Sequence, residues 1–109
     1  MKPILAIDPG NIQSAFCLID PDGYKPLDFA KQENEQIRKV VNRYCTSKGC
    51  GHVVIEMIGH YGAGMPAGQT LFDTCVEIGR LEQIIYDCGI AFSTCKRVLV
   101  KAHLCGTPK

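Results

Sequence analysis

The period of the apolar positions changes several times along the chain, and each change marks an element. Ile4-Leu5-Ala6-Ile7 is an unbroken apolar run that ends in Asp8 and is turned at once by Pro9-Gly10. Alternation puts Ile4, Ala6 and Asp8 on one face and Leu5 and Ile7 on the other, so residues 3–8 predict a central strand covered on two sides. Residues 13–20 resume extended structure as its antiparallel neighbour. Asp20-Pro21-Asp22-Gly23 is a turn, and residues 24–30 predict a third strand that completes a meander.

The period then lengthens to that of a helix. Ile37, Val40, Val41, Tyr44 and Cys45 make an apolar stripe within residues 33–48, and Arg38, Lys39, Asn42 and Arg43 take the outer face. Asn34 is the candidate N-cap, Glu33 and Glu35 suit the positive helix end, and Gly49 is the expected C′ stop. This crossover helix leads to a fourth strand, residues 52–56, which the right-handed crossover rule sets parallel to the first.

A longer helix is predicted over residues 70–88, ended by Gly89. Its stripe is Leu71, Cys75, Ile78, Leu81, Ile85 and Cys88, widened by Phe72, Val76 and Ile84. So much apolar surface suits contact with a second subunit as well as with the sheet. Asp73, Glu77 and Glu82 read as solvated outer residues. Residues 90–94 predict a fifth strand, and residues 96–104 a short helix broken by Gly106-Thr107-Pro108.

This order carries a chemical consequence. The fourth strand, His52-Val53-Val54-Ile55-Glu56, repeats the design of the first, an apolar run closed by a carboxylate. Parallel neighbours end at one edge of a sheet, so Asp8 and Glu56 would meet on strands roughly 4.8 Å apart. Carboxylates that close repel, and a divalent cation relieves the repulsion. Oxygen-only ligands with open positions suit Mg²⁺ or Mn²⁺ better than zinc.

Composition narrows the picture further. One hundred and nine residues suit a single domain, and a net charge of +1 excludes a globally basic nucleic-acid binder. The positive charge gathers late: after Asp87 the chain holds Lys96, Arg97, Lys101 and Lys109 and no acid, which is either a solvated end segment or a local binding patch. Neither a signal peptide nor an apolar run of spanning length occurs, so a soluble, cytoplasmic protein is expected. Seven cysteines scattered through apolar patterns favour buried thiols over a disulfide framework. Cys45, Cys50 and His52, with His103 and Cys105, could be considered for zinc, but the spacing lies at the edge of the common pattern and His52 opens a strand.

Residues 59–68 hold four glycines and a proline beside the proposed site, and match neither a Walker A loop nor a dinucleotide fingerprint. They read as a connector or as a loop that contacts substrate, with Tyr61 or His60 available to stack on an unpaired base.

Taken together, the strand ending Ile7-Asp8-Pro9-Gly10, the strand ending Ile55-Glu56, and Arg97-x-x-Val100-Lys101-x-x-x-x-Gly106 resemble the RuvC-type Holliday-junction resolvases. Gly68-x-x-x-x-Asp73-Thr74-Cys75 and Gly79-Arg80 are similar to the phage-borne members. The resemblance spans essentially the whole chain through short motifs whose order and spacing carry it. It implies a ribonuclease H-like α/β fold: a mixed five-stranded sheet with an antiparallel meander of strands one to three, strands four and five parallel to strand one, and flanking helices. It implies Mg²⁺-dependent hydrolysis of phosphodiesters at four-way DNA junctions by a homodimer, paired through the 70–88 helix, in a bacterial host or encoded by a phage. No nucleotide cofactor and no membrane partner are expected.

By matched position the resemblance makes Asp8 and Glu56 metal ligands, in a scheme where one ion activates water and a second stabilises the leaving 3′ oxygen. Lys101 would stand near the scissile phosphate, and Tyr61, His60, Arg80, Lys96 and Arg97 would join it in contacting DNA. One departure stands out. The family draws further acids from a late helix, whereas this sequence has no acid after Asp87, so a C-terminally truncated domain with poor cleavage is the expectation.

Two other readings compete. A strand ending in Asp-x-Gly also opens actin-like ATPases and sugar kinases, which are several times longer, and Pro9 departs from their pattern. A non-catalytic junction-binding or structural module would retain the same fold.

Overall fold

The computed structural model describes residues 1–57 and 68–96. In chain order they form β1 (Ile4–Asp8), β2 (Gln13–Asp20), β3 (Lys25–Glu33), α1 (Asn34–Thr46), β4 (His52–Met57), α2 (Gly68–Asp87) and β5 (Ala91–Lys96). The five strands make one sheet in the order β3-β2-β1-β4-β5. β1 pairs antiparallel with β2 and β2 with β3, whereas β4 runs parallel to both β1 and β5. The meander, the two crossovers and the parallel pair are those expected from the sequence.

Both helices pack on one face of this sheet. Leu5, Ile7, Phe16, Leu18, Val53 and Ile55 point into the layer and meet Ile37, Val41 and Cys45 of α1 and Ile78, Leu81 and Ile85 of α2. Most of these side chains are fully buried, each stabilising the fold by roughly 1.5–3 kcal/mol. The alternate residues of the central strands, Ile4, Ala6, Cys17 and Val54, are only half-buried. β1 is therefore central, as expected, but its two faces differ in cover.

Several local expectations are corrected. β3 continues past Ala30 to Glu33, because the long β2 supplies backbone partners as far as the Gln13–Glu33 pair. Pairing with a neighbour extends the polar run Lys31-Gln32-Glu33, which has no apolar alternation to announce it. Asn34 is the first helical residue, the N-cap position belongs to Glu33, and no side chain caps the helix. Gly49 lies one residue past C′. Lys48 takes the left-handed position (φ 58°), its N–H donating to the Cys45 carbonyl at 3.3 Å and the Gly49 N–H to the Tyr44 carbonyl at 2.9 Å. That is a Schellman ending with lysine where glycine was expected. At the end of α2 the same arrangement uses Gly89 (φ 72°). Lys96 is the last residue of β5, held in register with Met57, and does not begin a helix; residues 97–104 lie outside the described residues.

The inward stripe of α2 also differs. Ile78, Leu81 and Ile85 set the rotation of the helix, which brings Thr74 and Glu77 inward with them and leaves Cys75, Phe72 and Val76 exposed. Glu77, expected in solvent, is 3% exposed, and it accepts a hydrogen bond from Arg38, which was expected on the outer face of α1. The Thr74 hydroxyl is satisfied by the Thr70 carbonyl at 2.9 Å. Thr74 is tolerated on the stripe because its hydroxyl bonds back to its own helix, and Glu77 because one carboxylate oxygen meets Arg38 of α1. Cys45 and Cys50 are fully buried free thiols, and burial, with the neighbouring Cys50, pushes Cys45 up to about 12. Their proposed zinc partner His52 instead lies 2.9 Å from the Ser93 hydroxyl.

Candidate metal-binding edge

Ile4 to Ile7 of β1 stand level with His52 to Ile55 of β4. Carrying that register forward by one residue sets Asp8 beside Glu56 at the carboxyl ends of two adjacent, co-directional strands. Ile7 and Ile55 point into the helix layer, so Asp8 and Glu56, one residue on, stand on the opposite face. Asp8 is exposed and Glu56 half-buried. Asp8 also pairs with Ala15, Ala15 with Lys31, and Glu56 with Cys95. The rim row is thus Lys31, Ala15, Asp8, Glu56, Cys95: two carboxylates with a lysine on one flank and a half-buried thiol on the other.

This donor set fits a hard divalent cation. Mg²⁺ keeps several waters and takes one or two carboxylates together with substrate phosphate oxygens. Among the described residues no group of three or more His, Cys, Asp or Glu side chains could hold a metal ion. Asp73 does not join the rim. Its carboxylate accepts from Gln69 at 2.8 Å, and it lines a cleft on the helix side of the sheet.

That cleft, about 400 Å³, lies between the Asn11–Ile12 turn, the start of α1 and the outer turns of α2, and Arg80 and Arg38 contribute its positive charge. Arg80 is exposed there. Glu77 lies beside it with one carboxylate oxygen bonded to Arg38 and the other, Oε2, buried without a partner. Burial raises the Glu77 carboxyl above its ordinary range, and Arg38 and then Arg80 oppose that rise. Of the other residues predicted to contact DNA, His60, Tyr61, Arg97 and Lys101 lie outside the described residues, as does the Lys96 side chain.

Sequence reasoning missed what holds the Gly10 turn that follows β1. The N–H of Gly10 donates to the Ser14 hydroxyl at 3.1 Å, that hydroxyl donates to Asn34 Oδ1 at 2.6 Å, and Asn34 Nδ2 donates back to the Gly10 carbonyl at 3.0 Å. Ser14 is 1% exposed, a single hydroxyl on the inward face of β2. A lone serine in phase with Phe16 and Leu18 was the available signal. Asn34 was noticed only as a helix cap.

No protein-family model matches this sequence, and no curated protein matches it. Solved structures do. RuvC of Thermus thermophilus superposes with a TM-score of 0.73 at 15% identity, covering 97% of this chain and 70% of that one. RuvC of the same organism in complex with a Holliday junction substrate gives 0.77 at 12% identity, over 95% of this chain and 70% of that one. The inorganic polyphosphate/ATP-glucomannokinase from an Arthrobacter strain gives 0.55 at 15% identity and is covered over only 48% of its length. At these identities the likeness is one of fold. The chain has a RuvC-like, ribonuclease H-like fold with two carboxylates at one sheet edge.

Proposed function

We propose that this protein is a structure-selective DNA endonuclease that resolves four-way junctions by metal-dependent phosphodiester hydrolysis. The observation that carries the reading is the parallel register of β1 and β4, level as far as Ile7 and Ile55, with Asp8 and Glu56 the next residues of the two strands, on a fold similar to that of a RuvC seen with a Holliday junction substrate. Ligand sites at the carboxyl ends of parallel strands are the general rule for such sheets. Mg²⁺, or Mn²⁺ in its place, would supply Lewis-acid polarisation of the phosphate and a hydroxide nucleophile near neutral pH.

The chain's own residues divide the remaining work. Asp8 and Glu56 would hold the ion. Lys101 offsets charge developing on the phosphate. Arg80, Lys96, Arg97, His60 and Tyr61 grip the DNA strands. Phe72, Val76 and Tyr86, which are 69, 56 and 75% exposed, offer the apolar surface of α2 to a second copy, since a two-fold junction takes paired cuts. The resemblance to phage-borne members rests on residues 68–80 of the sequence.

The test is incubation of the protein with a labelled four-way junction and Mg²⁺. Paired nicks that disappear in Glu56→Gln, while junction binding persists, support the reading; junction binding without nicks at any Mg²⁺ or Mn²⁺ concentration sinks it. That second outcome, with binding abolished by Lys101→Ala, selects the non-catalytic junction-binding module, a reading favoured by the rim having only two metal-competent carboxylates among the described residues. Thermal stabilisation by ATP in place of Mn²⁺ would select the sugar-kinase reading.

A further inference from the structure

We propose that Ser14 and Asn34 are positioning residues that hold Asp8 ready for the metal ion; this rests on Asp8 being a ligand. The three hydrogen bonds described above close a ring: Gly10 N–H to Ser14, Ser14 to Asn34, Asn34 to the Gly10 carbonyl. Every donor in it points the same way round, so the serine hydroxyl accepts once and donates once, and both backbone polar groups of Gly10 are taken. A fourth bond, from the Asn34 backbone N–H to the Ile12 carbonyl at 3.0 Å, ties the same turn to the start of α1.

Only Pro9, whose φ is fixed by its ring, separates Asp8 from Gly10. Holding both peptide groups of Gly10 therefore fixes the backbone exit of Asp8, leaving its side chain little freedom beyond χ1 and χ2. The turn has no slack to take up. A Cβ on Gly10 would lie 2.2 Å from the Gln13 carbonyl oxygen, so the loop is packed against itself at that point. Ser14 and Asn34 lie on the helix side of the sheet and Asp8 on the other, so neither reaches the ion. They act through the turn. Glu56 needs no such device, because the β1 and β5 ladders on either side hold its strand.

Preorganised support of this kind is typically worth 10- to 100-fold in metal affinity. Asn34→Asp is the cleanest variant. It keeps the acceptor for Ser14 and favours the helix start, but it removes the donor to the Gly10 carbonyl. Mn²⁺ binding by titration calorimetry is expected to weaken about tenfold in Asn34→Asp and in Ser14→Ala. Ser14→Thr, which keeps the hydroxyl, should bind like the parent. Hydrogen exchange of the Gly10 amide should accelerate in Ser14→Ala, and the metal-free melting temperature of Asn34→Asp should stay within about 3 °C of the parent. Asp8→Asn is the control. If Asp8→Asn abolishes Mn²⁺ binding while Asn34→Asp and Ser14→Ala bind as the parent does, the positioning role is overturned and the ligand assignment stands. If Asp8→Asn binds Mn²⁺ normally, both fall.

Discussion

The two faces of one sheet carry the same strands to different ends. On the helix side, Leu5, Ile7, Phe16, Leu18, Val53 and Ile55 are buried against α1 and α2. On the other side the alternate residues Ile4, Ala6, Cys17 and Val54 are half-buried, Phe29 is 70% exposed, and the row at the rim holds Asp8 and Glu56. The first face stores the stability, and the second can keep charged groups in water without an energetic penalty for burying them. The two are joined where the Pro9–Gly10 turn is bonded through Ser14 and Asn34 to the start of α1. Substitutions on the open face should therefore change chemistry with little change in stability, and substitutions on the covered face the reverse.

The sharpest way to break that division is Asp8→Asn. On the proposed reading, in which Asp8 holds the metal ion, this change should cut metal-dependent junction cleavage by at least about a thousandfold, the scale of several kcal/mol of charge stabilisation. Metal-free stability in urea should change by less than about 1 kcal/mol, because Asp8 is exposed. A large loss of stability would show that Asp8 belongs to the folding core.

Leu81→Ala tests the other face. Leu81 is fully buried between α2 and the sheet, and truncation should lower unfolding free energy by about 3 kcal/mol in urea while the Mn²⁺ affinity of the folded protein is kept.

The ion pair between the helices gives the next effect, and its sign follows from burial. Desolvation holds the Glu77 carboxyl above its unfolded value of 4.5, against the pull of Arg38. The folded state then binds its proton more tightly than the unfolded chain. The contribution of Glu77 to stability is therefore fully present at acid pH and is lost as pH rises from about 4.5 through the raised value. Glu77→Gln should flatten that part of the pH–stability curve. Arg38→Ala should extend the falling region to higher pH and cost roughly 3 kcal/mol at neutral pH, because it leaves a buried carboxylate uncompensated. If the difference between the parent and Glu77→Gln curves instead rises over this window, the guanidinium outweighs burial at Glu77.

The smallest effect is expected at Lys48. Glycine relieves the left-handed strain there but loses the bond from Lys48 Nζ to the Cys88 carbonyl, at 2.5 Å. Lys48→Gly should therefore raise stability by less than about 1 kcal/mol in thermal unfolding.

Much of this architecture was readable in the chain. Two apolar runs ending in Asp8 and Glu56, a meander with turn residues between its strands, and two helical stripes dictate a parallel pair joined by a crossover. That pairing by itself brings the carboxylates to one rim. Glu77 and Arg38 were misread because helical periodicity assigns polar residues outward, and only the angle at which two helices pack reveals that a carboxylate and a guanidinium face each other between them. The end of β3 was misread because pairing with β2, a long-range partner, continues where the local alternation stops.

What the sequence alone determined is the set of elements, their order, the direction of β4 relative to β1 and the two acids at their ends, because these follow from side-chain periodicity and from the handedness of short connections. Tertiary structure decided which turns of α2 face inward, where Glu77 is buried, and that Ser14 and Asn34, twenty residues apart, close a ring around Gly10. Such contacts depend on distances between elements, and residue order along a chain does not encode those distances locally.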